Sequence, residues 1–183
     1  MHSEINDSLL IEMFKSSDSK NFAFNQIVLK YQERVYWHIR KMVINHDDAD
    51  DLIQESFIKV WNSLDRFRGE SSLYTWIYRI ATNEVLAFLK KQKSINHISL
   101  QDMENNLRDT LKQDIYFNGD DAQITLYQAL ASLPPKQRLV FNMKYFDDMK
   151  YEEIAEILNT SVGALKASYH IATEKIKKYV NSI

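Results

Sequence analysis

The chain has no cysteine, and only two prolines and three glycines among 183 residues. Without cysteine there is no disulfide, no thiolate metal site and no cysteine nucleophile. So little glycine and proline leaves few tight turns, which fits an all-helical chain. No alternating apolar and polar stretch marks a β-rich region. No apolar run approaches a membrane span, and Met1 to Lys20 lacks the hydrophobic stretch of a signal peptide. These absences predict a cytoplasmic protein without membrane insertion. His2, His38, His46 and His97 are isolated and show no metal-ligand spacing, so no metal is expected. A Walker loop, a dinucleotide fingerprint and a nucleophile motif are all missing. The chain therefore reads as a non-enzyme, with no cofactor and no small-molecule substrate.

Strong charge is lacking too. The formal net charge is −2 and the pI about 6.2. A free-standing DNA binder is usually basic, because phosphate neutralisation supplies most non-specific affinity. The balance is uneven along the chain. Lys20 to Lys93 carries a small positive surplus and Pro134 to Ile183 a smaller one. Between them Ser94 to Asp121 is acidic, with Asp102, Glu104, Asp109, Asp114, Asp120 and Asp121 against Arg108 and Lys112. Such a chain suits a subunit that borrows its nucleic-acid affinity from a larger complex.

What is present is concentrated between Asp47 and Asn83. Asp47 or Asp48 can cap a helix there, and the acids near its start complement the helix dipole. Ala49, Ile53, Ser56, Phe57, Val60 and Leu64 recur at helical spacing and mark its inward face. Asp51, Gln54, Glu55, Ile58 and Asn62 follow the same period on the other side. That second stripe is either a solvated face or an interface; Ile58 among polar residues favours the interface. A loop follows, Phe67-Arg68-Gly69-Glu70-Ser71-Ser72, in which Gly69 permits a tight path. A second helix opens at Ser71 or Ser72. Trp76, Arg79, Ile80 and Asn83 lie at i, i+3, i+4 and i+7, so they share one face. Aromatic rings stack on unpaired bases, Arg meets phosphate and Asn hydrogen-bonds a base edge. The competing reading makes Trp76 and Ile80 core. One polar face beside one aromatic and basic face points to a part that grips a protein and a nucleic-acid strand together.

The far end carries a separate pattern. Pro134-Pro135 starts a helix continued by Leu139, Val140, Met143, Lys144 and Phe146. After Asp147-Asp148-Met149-Lys150, the residues Ile154, Ala155, Ile157 and Leu158 form the apolar side of a short helix. Asn159-Thr160 is a turn and Ser161 a cap. Val162, Leu165, Tyr169, Ala172 and Ile176 give the inward face of a longer helix. Two helices joined this way form a helix-turn-helix pattern, with an ordinary helical hairpin as the alternative. Gly163, Lys166, Ala167 and His170 point outward: small residues let a helix sink into the major groove, and Lys and His reach bases or phosphates. Ahead of all this, Leu9 to Phe14 and Phe22 to Val43 read as two further helices. Phe24, Ile27, Val28, Tyr31, Val35, Ile39 and Met42 form the core stripe of the second.

The segments DDADDLIQESFIKVW and FRGESSLYTWIYRIATN resemble region 2 of bacterial sigma-70 family factors, of the short extracytoplasmic-function type. The C-terminal segment resembles sigma region 4. The resemblance implies an all-α chain of two small helical domains. Residues 1–93 would be the region 2 bundle, 94–121 an acidic linker and 122–183 the region 4 helix-turn-helix. It implies that RNA polymerase core docks on Asp51, Gln54 and Glu55. It implies that the melted −10 strand of promoter DNA is held by Phe67, Arg68, Ile80 and Asn83, with Arg79 nearby. The −35 duplex would meet Gly163, Lys166, Ala167 and His170. In this family the linker threads towards the polymerase active centre, and an anti-sigma factor is an expected partner. The recognition helix departs from the commoner pattern: Ala164 stands where Thr is usual, Ala167 and Ser168 where Ser and Arg are usual, and Ile171 where Arg is usual. The alternative from another class is a helix-turn-helix repressor or activator whose N-terminal half is a sensor or dimerisation module.

Overall fold

The computed structural model describes residues 5–43, 45–95 and 121–182. Among them are eight α-helices and one turn of 3-10 helix. We number them α1 (Asp7–Lys15), α2 (Lys20–Val43), α3 (His46–Ser63), α4 (Leu73–Ile95), α5 (Asp121–Ala131), α6 (Pro135–Tyr145), α7 (Tyr151–Leu158) and α8 (Val162–Val180), with the 3-10 turn at Leu64–Arg66. No strand occurs among the described residues. The acidic stretch expected to be a linker lies outside them from 96 to 120, as do His2 and His97; α4 runs on to Ile95.

The helix starts follow capping chemistry. Asn6 caps α1 by accepting from the Ser8 amide at 3.1 Å. For α3 the cap is Asn45, whose side chain accepts from the Asp48 amide at 3.2 Å. This corrects the expectation of Asp47 or Asp48, which instead sit in the first turn near the positive end of the helix dipole. Of the two serines before α4, Ser72 is the cap, accepting from the Thr75 amide at 3.0 Å. Ser161 caps α8 by accepting from the Ala164 amide at 3.2 Å.

Of the stripe read from α2, Ile27, Tyr31, Val35, Ile39 and Met42 are interior, while Phe24 and Val28 are partly buried against the same core. Phe14 of α1 meets Trp61 of α3 edge-on at 5.2 Å, and Phe24 meets Trp61 at 4.9 Å. Each such buried side chain contributes about 1.5–3 kcal/mol. On α3 the inward face is Ala49, Leu52, Ser56, Phe57 and Val60. Leu52 takes the place expected for Ile53, which is only partly buried. The apolar face is wide enough for either position to turn inward, and period alone could not choose between them.

In the C-terminal helices Phe141 stacks on Tyr169 at 5.7 Å, beside Leu130, Leu133, Ala172 and Ile176. The larger cluster does not stop at the N-terminal helices. Leu139, Val140, Met143, Met149, Ile154, Ile157 and Leu165 join the core of α1–α4, so the two halves are packed together.

Candidate nucleic-acid interface

Helices α3 and α4 are held side by side by apolar packing and by the Lys59–Glu84 ion pair at 2.5 Å. Asp51, Gln54 and Glu55 are all exposed on the outer face of α3. Ile58 beside them is 59% exposed. The acids at the start of α3 crowd one another. Burial first, then Asp51 and Asp47, push the Asp48 carboxyl above its ordinary value. A basic surface laid on this face would relieve that repulsion.

The loop after α3 turns through Gly69 at φ +72°, a backbone state that only glycine adopts freely. Phe67 is half-buried, with its ring 5.1 Å from Trp76. Arg68 is exposed, with a long 3.9 Å contact to Glu70. On α4 the fully buried side is Leu73, Ile77, Tyr78, Ala81 and Val85. Trp76, Arg79 and Ile80 are half-buried and Asn83 is exposed. The expected face is therefore the flank of α4 that borders solvent. Trp76 and Ile80 also pack on the core, as the competing reading of them expected. Phe67, Trp76, Ile80 and Asn83 lie along one side of the loop and helix, with aromatic and amide groups available for a base.

Helix α7 ends at Asn159, in the left-handed conformation at φ 47°. The Thr160 amide closes the turn on the Ala155 carbonyl at 3.1 Å. On α8, Leu165 is buried while Gly163, Lys166, Ala167 and His170 are exposed. A Cβ placed at Gly163 would meet nothing within 4 Å, so packing inside the protein does not demand glycine there. Close approach by something outside it would.

Sequence reading missed a group of polar residues between the halves. Arg138 donates to the Met42 carbonyl at 2.9 Å and to the Ala131 carbonyl at 2.9 Å, meeting the negative ends of α2 and α5. Burial pushes its pKa down to about 10. Asp147 pairs with Lys41 at 2.6 Å and faces His38 at 3.5 Å. Its carboxyl stays below its ordinary value: burial pushes it up, but the facing His38 and the Lys41 ammonium outweigh that. His38 is buried, with Nε2 3.0 Å from the Thr82 hydroxyl. Arg138 and Met42 are 96 residues apart and Asp147 and Lys41 are 106 apart, and no local pattern announces either pair.

Comparison with known proteins decides what these helices are. Residues 27–95 match the sigma-70 region 2 family and residues 123–176 the sigma-70 region 4 family. The chain is 30% identical to the ECF RNA polymerase sigma-E factor of Salmonella typhimurium over 191 aligned residues, covering 100% of this chain and 98% of that one. The same figures hold for the ECF RNA polymerase sigma-E factor of Escherichia coli. The chain belongs to the ECF RNA polymerase sigma factors. Solved structures agree on the fold. CnrH, in complex with the cytosolic domain of CnrY, superposes with TM-score 0.70 at 22% identity, covering 96% of this chain and 97% of that one. The Bartonella quintana sigma factor RpoE, in complex with the anti-sigma factor NepR, gives TM-score 0.67 at 22% identity, covering 86% and 96%.

As a sigma factor the chain directs core polymerase to promoters and acts in transcription initiation. The repressor or activator reading is not favoured. Region 2 fills the half of the chain that such a protein would give to a sensor.

Proposed function

We propose that the exposed Asp51, Gln54 and Glu55 face of α3 docks on RNA polymerase core. The loop and outer flank of α4 take the melted −10 strand through Phe67, Arg68, Arg79, Ile80 and Asn83. The outward side of α8 reads the −35 duplex through Gly163, Lys166, Ala167 and His170. The observation that carries this reading is the exposed α3 face around Ile58, held rigidly beside the aromatic and polar flank of α4. Residues 1–93 would act as the unit for core and −10 binding, 94–121 as an acidic linker and 122–183 as the −35 unit.

The sigma factor performs no chemistry itself in this scheme; the polymerase supplies it. Among the described residues no helix is long and apolar enough to cross a membrane, and a cytoplasmic location fits a subunit that works on the nucleoid. An anti-sigma factor is an expected partner, since the solved relatives CnrH and RpoE were captured with CnrY and NepR.

The direct test is capture of the chain by immobilised core polymerase. Glu55→Lys places a cation where a basic partner surface is expected, and should weaken capture about tenfold or more, ~1.4 kcal/mol. The helix content should not change, since Glu55 is exposed. Undiminished capture of the folded variant would move the docking face elsewhere.

A further inference from the structure

Helix α8 carries an exposed aliphatic side chain that none of the contacts proposed above uses. Ile171 is 44% exposed, in the third turn of the helix. It lies four residues beyond Ala167, which lies four beyond Gly163, and residues four apart stand one above the other on a helix face. All three are exposed, on the side of α8 away from the buried Leu165, Ala172 and Ile176. A single exposed isoleucine needs no explanation by itself. Its alignment with a face read as entering the major groove gives it one.

That face is short of hydrogen-bonding groups. From 163 to 171 the exposed residues are Gly163, Ala164, Lys166, Ala167, His170 and Ile171, of which only Lys166 and His170 have polar side chains. Lys166 leans back towards α7, its ammonium 5.8 Å from the centre of the Tyr151 ring. One turn beyond, the Glu174 carboxylate is engaged, accepting from the Lys177 ammonium at 2.9 Å. Gly163, Ala164 and Ala167 let the backbone approach closely, and Ile171 stands at the end of that low stretch as an apolar projection.

The major groove narrows the choice of partner. Every base pair offers donors or acceptors there, but thymine alone adds an apolar group, its 5-methyl. An aliphatic side chain carried into the groove therefore has one base-specific partner. Opposite the amino group of cytosine or adenine the same side chain would strip water and return no hydrogen bond. The spacing also fits. Ala167 and Ile171 are about 6 Å apart along the axis, at about 1.5 Å per residue. That is about two base steps of roughly 3.4 Å.

We propose that Ile171 reads a thymine methyl group in the −35 duplex, with Ala167 against a second methyl within about two base pairs. Lys166 and His170 then supply register while apolar contact supplies the base preference. The preferred −35 element carries a thymine, on either strand, at the pair that Ile171 faces. This rests on the reading of α8 as the −35 helix.

The test uses the full chain assembled with core polymerase, on a promoter taken from transcript starts mapped on fragments of the source genome. Competition binding compares the native duplex, one with deoxyuridine for every thymine of the −35 element, and one with that element scrambled. Deoxyuridine keeps the hydrogen-bonding groups of thymine and removes only the methyl. Losing one buried methyl should weaken binding about fourfold, and losing two about fifteenfold. Ile171→Ala changes an exposed site to a better helix former, so the fold should hold. This variant should bind the native duplex several-fold more weakly than wild type and lose most of the response to deoxyuridine. Ile171→Val, which keeps branched methyls, should retain part of that response. A wild-type chain indifferent to deoxyuridine in the −35 element overturns the proposal. So does an equal response in wild type and Ile171→Ala, an equal loss from deoxyuridine placed in the spacer instead, or a −35 element with no thymine on either strand. The scrambled duplex separates the two claims. If scrambling costs no affinity, the reading of α8 as the −35 helix fails; if scrambling weakens binding and deoxyuridine does not, only the methyl readout fails.

Discussion

Replacing Arg138 by methionine tests whether helix-end carbonyls justify a buried guanidinium. Arg138 is only 6% exposed and bonds two C-terminal carbonyls, at Met42 and Ala131. Burial lowers its pKa from 12.5 to about 10. That shift of about 2.5 units corresponds to roughly 3 kcal/mol of penalty on the charged form, at about 1.36 kcal/mol per unit. At pH 7 the side chain is still charged in both folded and unfolded chains, so the penalty is present but does not vary with pH. It is relieved only as pH rises above about 10, where the folded chain gives up the proton first. Two hydrogen bonds from a charged donor contribute about 1.5–3 kcal/mol each. Methionine keeps most of the stem packing, removes the desolvation penalty and loses both bonds. The expected net loss is about 0–3 kcal/mol, with about 1–2 at the middle of that range. Alanine also removes the stem and should cost about 1–2 kcal/mol more. Urea unfolding followed by far-UV circular dichroism at pH 7 measures both. A methionine variant more stable than wild type would refute the reasoning, because desolvation would then outweigh the bonds.

Asn83→Ala should reduce open-complex formation in a promoter-melting assay, and a pre-melted template should restore only part of the loss; wild-type behaviour at a base-dependent promoter would place the pocket elsewhere. Lys166→Ala should weaken −35 duplex binding and lower the slope of log affinity against log salt by about one, as for a lost phosphate contact; relaxed preference at a single base pair would mean that Lys166 reads a base. Asp147 holds its proton less tightly when folded than its ordinary value of 3.8, so its contribution is complete above that pH and is lost as pH falls through the lower folded value. The stability deficit of Asp147→Asn should therefore be full at pH 6–7 and shrink below about pH 4 in acid-titration unfolding curves; a deficit independent of pH would deny the ion pair.

The helices were legible because their cues are local. Period placed the core stripe of α2 and the inward face of α8, and Ser161 and Pro135 marked helix starts. Where neighbouring cues competed, tertiary packing decided. Asn45, not an aspartate, caps α3, and Leu52, not Ile53, turns fully inward. The exposed α3 face and the half-exposed flank of α4 followed from spacing alone. The contacts between the halves did not. Nothing in the sequence singled out Asp147 or Glu156. Their partners, Lys41 and Arg79, lie 106 and 77 positions away. A buried ion pair at that separation leaves no periodic trace, and only the fold reveals it.

The central claim is that this chain confers promoter-specific initiation on core polymerase. Purified core would transcribe fragments of the source genome with and without the chain, and the 5′ ends of the transcripts would be sequenced. The account predicts discrete starts that appear only when the chain is added and that share sequence near −10 and −35. A control sigma factor that yields starts on the same fragments, while this chain yields none, would contradict it.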